Sequence, residues 1–70
     1  MKNRIKVERA IHNMTQEELA ERLSVSRQTI NAIEKGRFNP STLLALKMSS
    51  LFGVTVNDLF ELEPGEAVKS

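Results

Sequence analysis

Cysteine, tryptophan and tyrosine are missing from the 70 residues, and histidine occurs once. Without thiols there is no disulfide framework and no thiolate metal site, which fits a reducing compartment. A single imidazole cannot build a metal cluster. Three phenylalanines are the whole aromatic content, so the core has to be aliphatic. No apolar run approaches the roughly 20 residues that a membrane span needs, and no secretory signal is legible, so no membrane association and a cytoplasmic location are expected. Repeats and low-complexity tracts are absent. The patterns that mark catalysis are missing as well: no carboxylate pair in a cleft, no phosphate-cradling glycine loop and no activated nucleophile. The reading is therefore a non-enzymatic protein with no cofactor and no metal.

The composition that remains is that of one small globule, 40% apolar and 27% charged, with a formal net charge of +1. That charge is unevenly distributed. Lys2, Arg4, Lys6 and Arg9 stand against Glu8 alone, and Arg27, Lys35 and Arg37 against Glu34. Glu17, Glu18 and Glu21 outweigh Arg22, and Asp58, Glu61, Glu63 and Glu66 outweigh the late lysines. A polarity of this kind orients a small protein on a polyanion.

Residues 15–36 carry the clearest pattern. Thr15 is a good N-cap, followed by Glu17 and Glu18 where the positive end of the helix dipole favours acid. Leu19, Ala20 and Leu23 then recur with helical spacing. Ser24 and Val25 break the period, and Ser26 caps a second helix in which Ile30 and Ile33 face inward and Gly36 supplies a left-handed stop. Arg27, Gln28, Asn31 and Lys35 are left facing outward. The spacing predicts two short helices, over 16–23 and 27–35, meeting at a tight turn.

Around this pair, the pattern predicts a first helix over 4–12, capped by Asn3 and ended by Asn13 in the left-handed conformation. Ile5 and Met14 enter the core. Arg9 falls one turn after Ile5 on the inward face, where an unpaired charge is very costly. A fourth helix over 42–52 is capped by Ser41 and ended by Gly53, with Leu44, Met48, Leu51 and Phe52 inward and Leu43 off that stripe. Thr55 caps a fifth helix reaching Leu59 and Phe60, with Val54 and Val56 helping to close the core. Phe38 is read as a lid over the core edge. The domain is placed at 1–62, and a frayed tail at 63–70.

The positions Gln16, Leu19, Ala20, Leu23, Val25, Ser26, Ile30, Ile33, Glu34 and Gly36 together resemble the helix-turn-helix of the Cro/repressor superfamily (Cro/C1-type, XRE family), the small DNA-binding domains of phages and bacterial regulators. The likeness runs from about residue 4 to residue 60. It implies an all-α fold, a compact five-helix lambda-repressor-like domain whose helices 2 and 3 form the motif. It also implies a sequence-specific transcriptional regulator of double-stranded DNA, a repressor or autoregulator, with helix 3 in the major groove. On that basis Arg27, Gln28, Asn31 and Ala32 are the base-contacting candidates. Arg27 suits guanine and Gln28 suits adenine, Asn31 suits adenine or a phosphate, and the methyl of Ala32 suits thymine. Gln16, Thr29, Lys35 and Arg37 are the phosphate-contacting candidates, with Thr29 small enough for a base as well. In relatives the amides of the loop after helix 3 also meet the DNA backbone. The family pairs an arginine at position 9 with the glutamate ending the recognition helix, which carries over as Arg9 with Glu34. Where most relatives have glycine, Ser24 stands in the turn, so some strain is expected there.

Two half-sites about one helical turn apart call for a homodimer. The family often builds it on the last helix, here Leu59, Phe60 and Leu62, with Leu43 nearby. The alternative reading is a protein-interaction or antitoxin-like module on the same scaffold, with weak DNA binding and a protein partner.

Overall fold

Four of the five helices begin where a Ser or Thr side chain can accept from a backbone amide two or three residues on. In the computed structural model, which describes residues 1–68, α1 spans Ile5–Ile11, α2 Gln16–Leu23, α3 Arg27–Glu34, α4 Thr42–Phe52 and α5 Val56–Leu59. Thr15 accepts from the Glu18 amide while Glu18 bonds back to the Thr15 amide, a reciprocal capping box. Thr55 and Asp58 repeat the arrangement at α5. Ser26 caps α3 through the Thr29 amide, and Ser41 caps α4 through the Leu44 amide.

α1 departs from the expectation. It starts one residue later, with Arg4 rather than Asn3 at the cap position and no side-chain cap bond. Asn3 belongs instead to a short strand, β1 (Lys2–Asn3), which pairs antiparallel with β2 (Phe60–Glu61), setting Lys2 against Glu61 and Asn3 against Phe60. The Arg4 amide continues this tie by donating to the Leu59 carbonyl at 2.9 Å. Two-residue strands leave no alternation to detect, so the fold is all-α with a β-bridge joining its two ends. α5 correspondingly stops at Leu59, and Phe60 turns extended at φ −126°, ψ 142°.

The helices close on a core in which Ile5, Leu19, Ile30, Ile33, Met48 and Leu59 are fully buried. Each side chain of this size contributes about 1.5–3 kcal/mol by leaving water. Ala20 is 3% exposed between the helices of the motif, where its small size lets α2 and α3 approach. Leu44, Met48 and Phe52 form the inward stripe of α4, whereas Leu51, expected among them, is only partly buried, with Ala45, Val54 and Val56. Phe38 is 52% exposed and does not act as a lid.

Asn13 and Ser24 are the non-glycine residues with positive φ among those described, at 54° and 58°. Ser24 closes α2 in the left-handed region, its amide bonding the Ala20 and Glu21 carbonyls. The turn thus has the shape of the family motif with a serine where a Cβ is unfavourable. The segment expected to fray carries some local structure. Pro64–Glu66 forms a 3-10 turn, and the Met1 ammonium bonds the Glu63 and Glu66 carboxylates at 3.3 and 3.1 Å. Residues 69 and 70 of that tail lie outside the described residues.

Candidate nucleic-acid interface

The outward side of α3 is set by its inward one. Ile30 and Ile33, three apart, are buried against α2 and the core, which leaves Arg27 and Gln28 exposed on the first turn and Asn31 half-buried one turn later. Arg27, Gln28 and Asn31 line one shallow recess together with Gln16 from the start of α2. A second recess, lined by Asn13, Thr15, Gln16, Glu17 and Arg27 among others, shares Gln16 and Arg27 with the first. The N-terminal ends of α2 and α3 therefore form one continuous grooved surface carrying amide and guanidinium donors.

Behind that surface lies an ion pair. Arg9 Nε donates to Glu34 Oε2 at 2.7 Å and Arg9 Nη2 to Glu34 Oε1 at 3.1 Å, a two-pronged match of planar groups. Arg9 Nη1 donates to the Met14 carbonyl at 3.0 Å, so the guanidinium also closes the turn between α1 and α2. The two side chains are 15% and 8% exposed, dry enough for the pair to hold the end of α3 against α1.

Gln16 joins the same carboxylate, its Nε2 donating to Glu34 Oε1 at 3.3 Å. The amide expected to hold a phosphate thus spends one hydrogen inside the molecule and keeps the other. Thr29 is likewise engaged: its hydroxyl lies 2.9 Å from the Ser26 hydroxyl, within the cap of α3. Ala32 is half-buried, and Lys35 and Arg37 are exposed beyond the end of the helix. Two of the loop amides expected to face DNA are spent otherwise: the Gly36 amide donates to the Ile33 carbonyl and the Arg37 amide to the Ala32 carbonyl. These bonds close α3, with Gly36 at φ 73°.

Sequence reading gave Asn3 only as the cap of α1 and missed its second partner. Its Oδ1 accepts from the Ile5 amide at 3.2 Å and its Nδ2 donates to the Ile33 carbonyl at 2.9 Å, so one amide serves the start of α1 and the end of α3. The only signal was an asparagine just ahead of a helix, which points to a local cap and says nothing of a partner thirty positions on. Two of the residues named for a dimer contact are also corrected. Leu59 is 0% and Phe60 8% exposed, both core residues, whereas Leu43 and Leu62 are 63% and 55% exposed.

Two short helices at a sharp turn, the second presenting a polar first turn and backed by the rest of the bundle, define a helix-turn-helix DNA-binding domain. A family model of that description, helix-turn-helix, matches residues 5–59, and the chain belongs to this family of Cro/repressor (XRE) type regulators. An uncharacterized HTH-type transcriptional regulator of Methanocaldococcus jannaschii is 56% identical over 66 residues, 94% of this chain and 100% of that protein. The uncharacterized HTH-type transcriptional regulator YgzD of Bacillus subtilis is 49% identical over 63 residues, 90% of this chain and 96% of its own. Among solved structures, a hypothetical transcription factor, NHTF, from Neisseria superposes with a TM-score of 0.71 at 28% identity over 77% of this chain. The chain spans 61% of that protein's length.

Proposed function

We propose that the protein is a sequence-specific regulator of double-stranded DNA, a repressor or autoregulator, which inserts α3 into the major groove and acts in the cytoplasm as a homodimer. The observation that carries this reading is the side-by-side placement of Arg27, Gln28 and Asn31 with Gln16 on one outward recess. Arginine matches the two acceptors of guanine and glutamine matches the donor and acceptor of adenine, so the first turn of α3 offers a two-base readout. Gln16, Lys35 and Arg37 flank it, suited to phosphates on either side. Thr29, held by Ser26, serves phosphate only through whatever bonding capacity that contact leaves.

Among the described residues no helix is long and apolar enough to cross a membrane, and no group of three or more His, Cys, Asp or Glu is placed to hold a metal ion. Selection of bound duplexes from a random pool tests the proposal. It expects a near-palindromic consensus with half-sites about one helical turn apart, and affinity that falls steeply as salt rises because phosphate contacts displace counterions. Recovery of no preferred sequence, with salt-independent binding, would overturn it.

A further inference from the structure

Among the helices, α3 packs chiefly against α2, and its buried residues are Ile30 and Ile33. Two apolar side chains three positions apart set how deeply a short helix sits. Apolar burial is non-directional, so it does little to fix the tilt of the helix or its rotation about its own axis. Directed bonds do that, and those that reach α3 from other elements gather at its C-terminal end. Arg9 and Gln16 hold the Glu34 side chain. Asn3 Nδ2 donates to the Ile33 carbonyl at 2.9 Å, with the Glu34 carbonyl 3.5 Å from the same nitrogen. The cap at the other end, Ser26 to the Thr29 amide, is internal to the start of α3.

Asn3 is itself held from several directions. Its backbone pairs with Phe60 across the β-bridge, and the next amide, of Arg4, donates to the Leu59 carbonyl. Its Oδ1 accepts from the Ile5 amide at 3.2 Å, which fixes the direction in which the Nδ2 hydrogens point. The same segment lies along the end of α3, where a Cβ built on Gly36 would sit 3.7 Å from the Met1 carbonyl.

The Asn3 bond is not what keeps the Ile33 carbonyl satisfied. That oxygen already accepts from the Gly36 amide at 3.0 Å, and Asn3 takes its second lone pair. Without Asn3 the carbonyl stays bonded and the helix keeps its stop. What goes is a direction.

We infer that Asn3 is a positioning residue for base reading, pinning the tail of α3 so that Arg27 and Gln28 meet the groove in register. This inference rests on the DNA reading proposed above, and Asn3 acts in it only through α3. Ile33 and Arg27 are six residues apart, about 9 Å along the helix axis. A tilt of about 10° pivoting at Ile33 moves the Arg27 end by about 1.5 Å, against a spread of roughly 0.5 Å in good hydrogen-bond lengths. A two-pronged contact to a base edge does not survive such a shift, whereas attraction to the phosphates changes little.

The test uses the full chain at a temperature where circular dichroism shows every variant folded. Asn3→Ser keeps a side-chain acceptor for the Ile5 amide and is too short to reach Ile33. Asn3→Thr, equally short and better suited to a strand, repeats the measurement if the serine variant does not fold. Thr55→Ala is the control: its hydrogen bonds lie within the start of α5, and losing that cap lowers stability without touching α3. Competition between the selected duplex and an unrelated one gives the preference of each protein. Asn3→Ser should lower that preference about fivefold or more, the loss of roughly one good base contact, with affinity for the unrelated duplex nearly unchanged. Thr55→Ala should keep the wild-type preference. In the free proteins, the backbone amide signals of Arg27 and Gln28 should move in Asn3→Ser and stay in place in Thr55→Ala. A folded Asn3→Ser with the wild-type preference, or with those signals unmoved, would overturn the inference and leave the DNA reading standing. An equal fall in Thr55→Ala would assign the effect to lost stability and overturn it too. A wild type that prefers no sequence would overturn the DNA reading and this inference together.

Discussion

The side-chain amide of Asn3 donates to the carbonyl of Ile33 across 2.9 Å, tying the first strand of the chain to the last turn of α3. The same amide accepts from the Ile5 N–H, so a single residue sets both where α1 begins and where α3 is anchored. Position and orientation of the outward face of α3 thus depend on residues far from it in sequence.

Asn3→Ala removes one donor and one acceptor in a part-buried setting. We expect a loss of about 1–2 kcal/mol in urea denaturation, with amide exchange at the C-terminal end of α3 accelerating more than in α4. Asn3→Asp keeps the acceptor for Ile5 but sets a carboxylate against the Ile33 carbonyl, and should cost at least as much.

Arg9→Ala leaves the Glu34 carboxylate without its main partner while its side chain is 8% exposed. The expected loss is about 3 kcal/mol, near the lower end for breaking a buried pair. Arg9→Ala combined with Glu34→Ala should cost less than the sum of the two single changes, and a double-mutant cycle measures the coupling. An unchanged melting temperature for Arg9→Ala would remove the pair from any structural role.

Ser24→Gly should stabilise the protein. At φ 58° and ψ 41° the serine Cβ is unfavourable, a cost on the order of 1 kcal/mol that glycine avoids, less the extra freedom glycine has in the unfolded chain. A net gain of about 0.5 kcal/mol is expected from thermal melts. The same change at Asn13, where φ is 54°, should gain less, because asparagine tolerates that region.

Duplex binding should separate two groups of side chains. Arg27→Ala and Gln28→Ala should each cost about 1–3 kcal/mol on the preferred sequence and little on unrelated ones, flattening the preference. Arg37→Ala should weaken all duplexes alike and lower the slope of log affinity against log salt by about 1. Competition titrations at two salt concentrations read both effects.

The contact between the Met1 ammonium and the 3-10 turn should depend on pH. Bonding to Glu66 and Glu63 raises the Met1 ammonium above its ordinary 8.0. Bonds from the Glu63 amide and from that ammonium lower Glu66 below its ordinary 4.5. A raised amine contributes fully below its ordinary value and is lost as pH rises through its folded one; a lowered carboxylate contributes above its ordinary value and is lost as pH falls through its folded one. The 3-10 turn should therefore stay docked between about pH 5 and 8 and loosen on either side. The groups are solvent-exposed, so the change belongs in local chemical shifts at 63–66 rather than in the global melt. N-terminal acetylation should abolish the alkaline limb.

Much of this architecture was legible in the residues alone. Thr15, Ser26, Ser41 and Thr55 each bond an amide within three positions, and Ile30 with Ile33 repeats at helical spacing; these interactions are local, so the chain states them wherever it folds. The resemblance across residues 16–36 likewise pointed to Arg9 and Glu34, whose ion pair the structure shows. What sequence alone determined is thus the five helices, the caps that start α2 to α5, and the set of polar side chains that α3 turns outward. Tertiary structure alone decided that Asn3 reaches Ile33, that Gln16 shares the Glu34 carboxylate, that Phe60 leaves the last helix for a strand opposite Asn3, and that Leu59 is sealed in the core. Those contacts join residues up to some sixty positions apart; their partners are chosen by how the core packs, and no periodicity along the chain encodes a pairing that exists only once the helices have met.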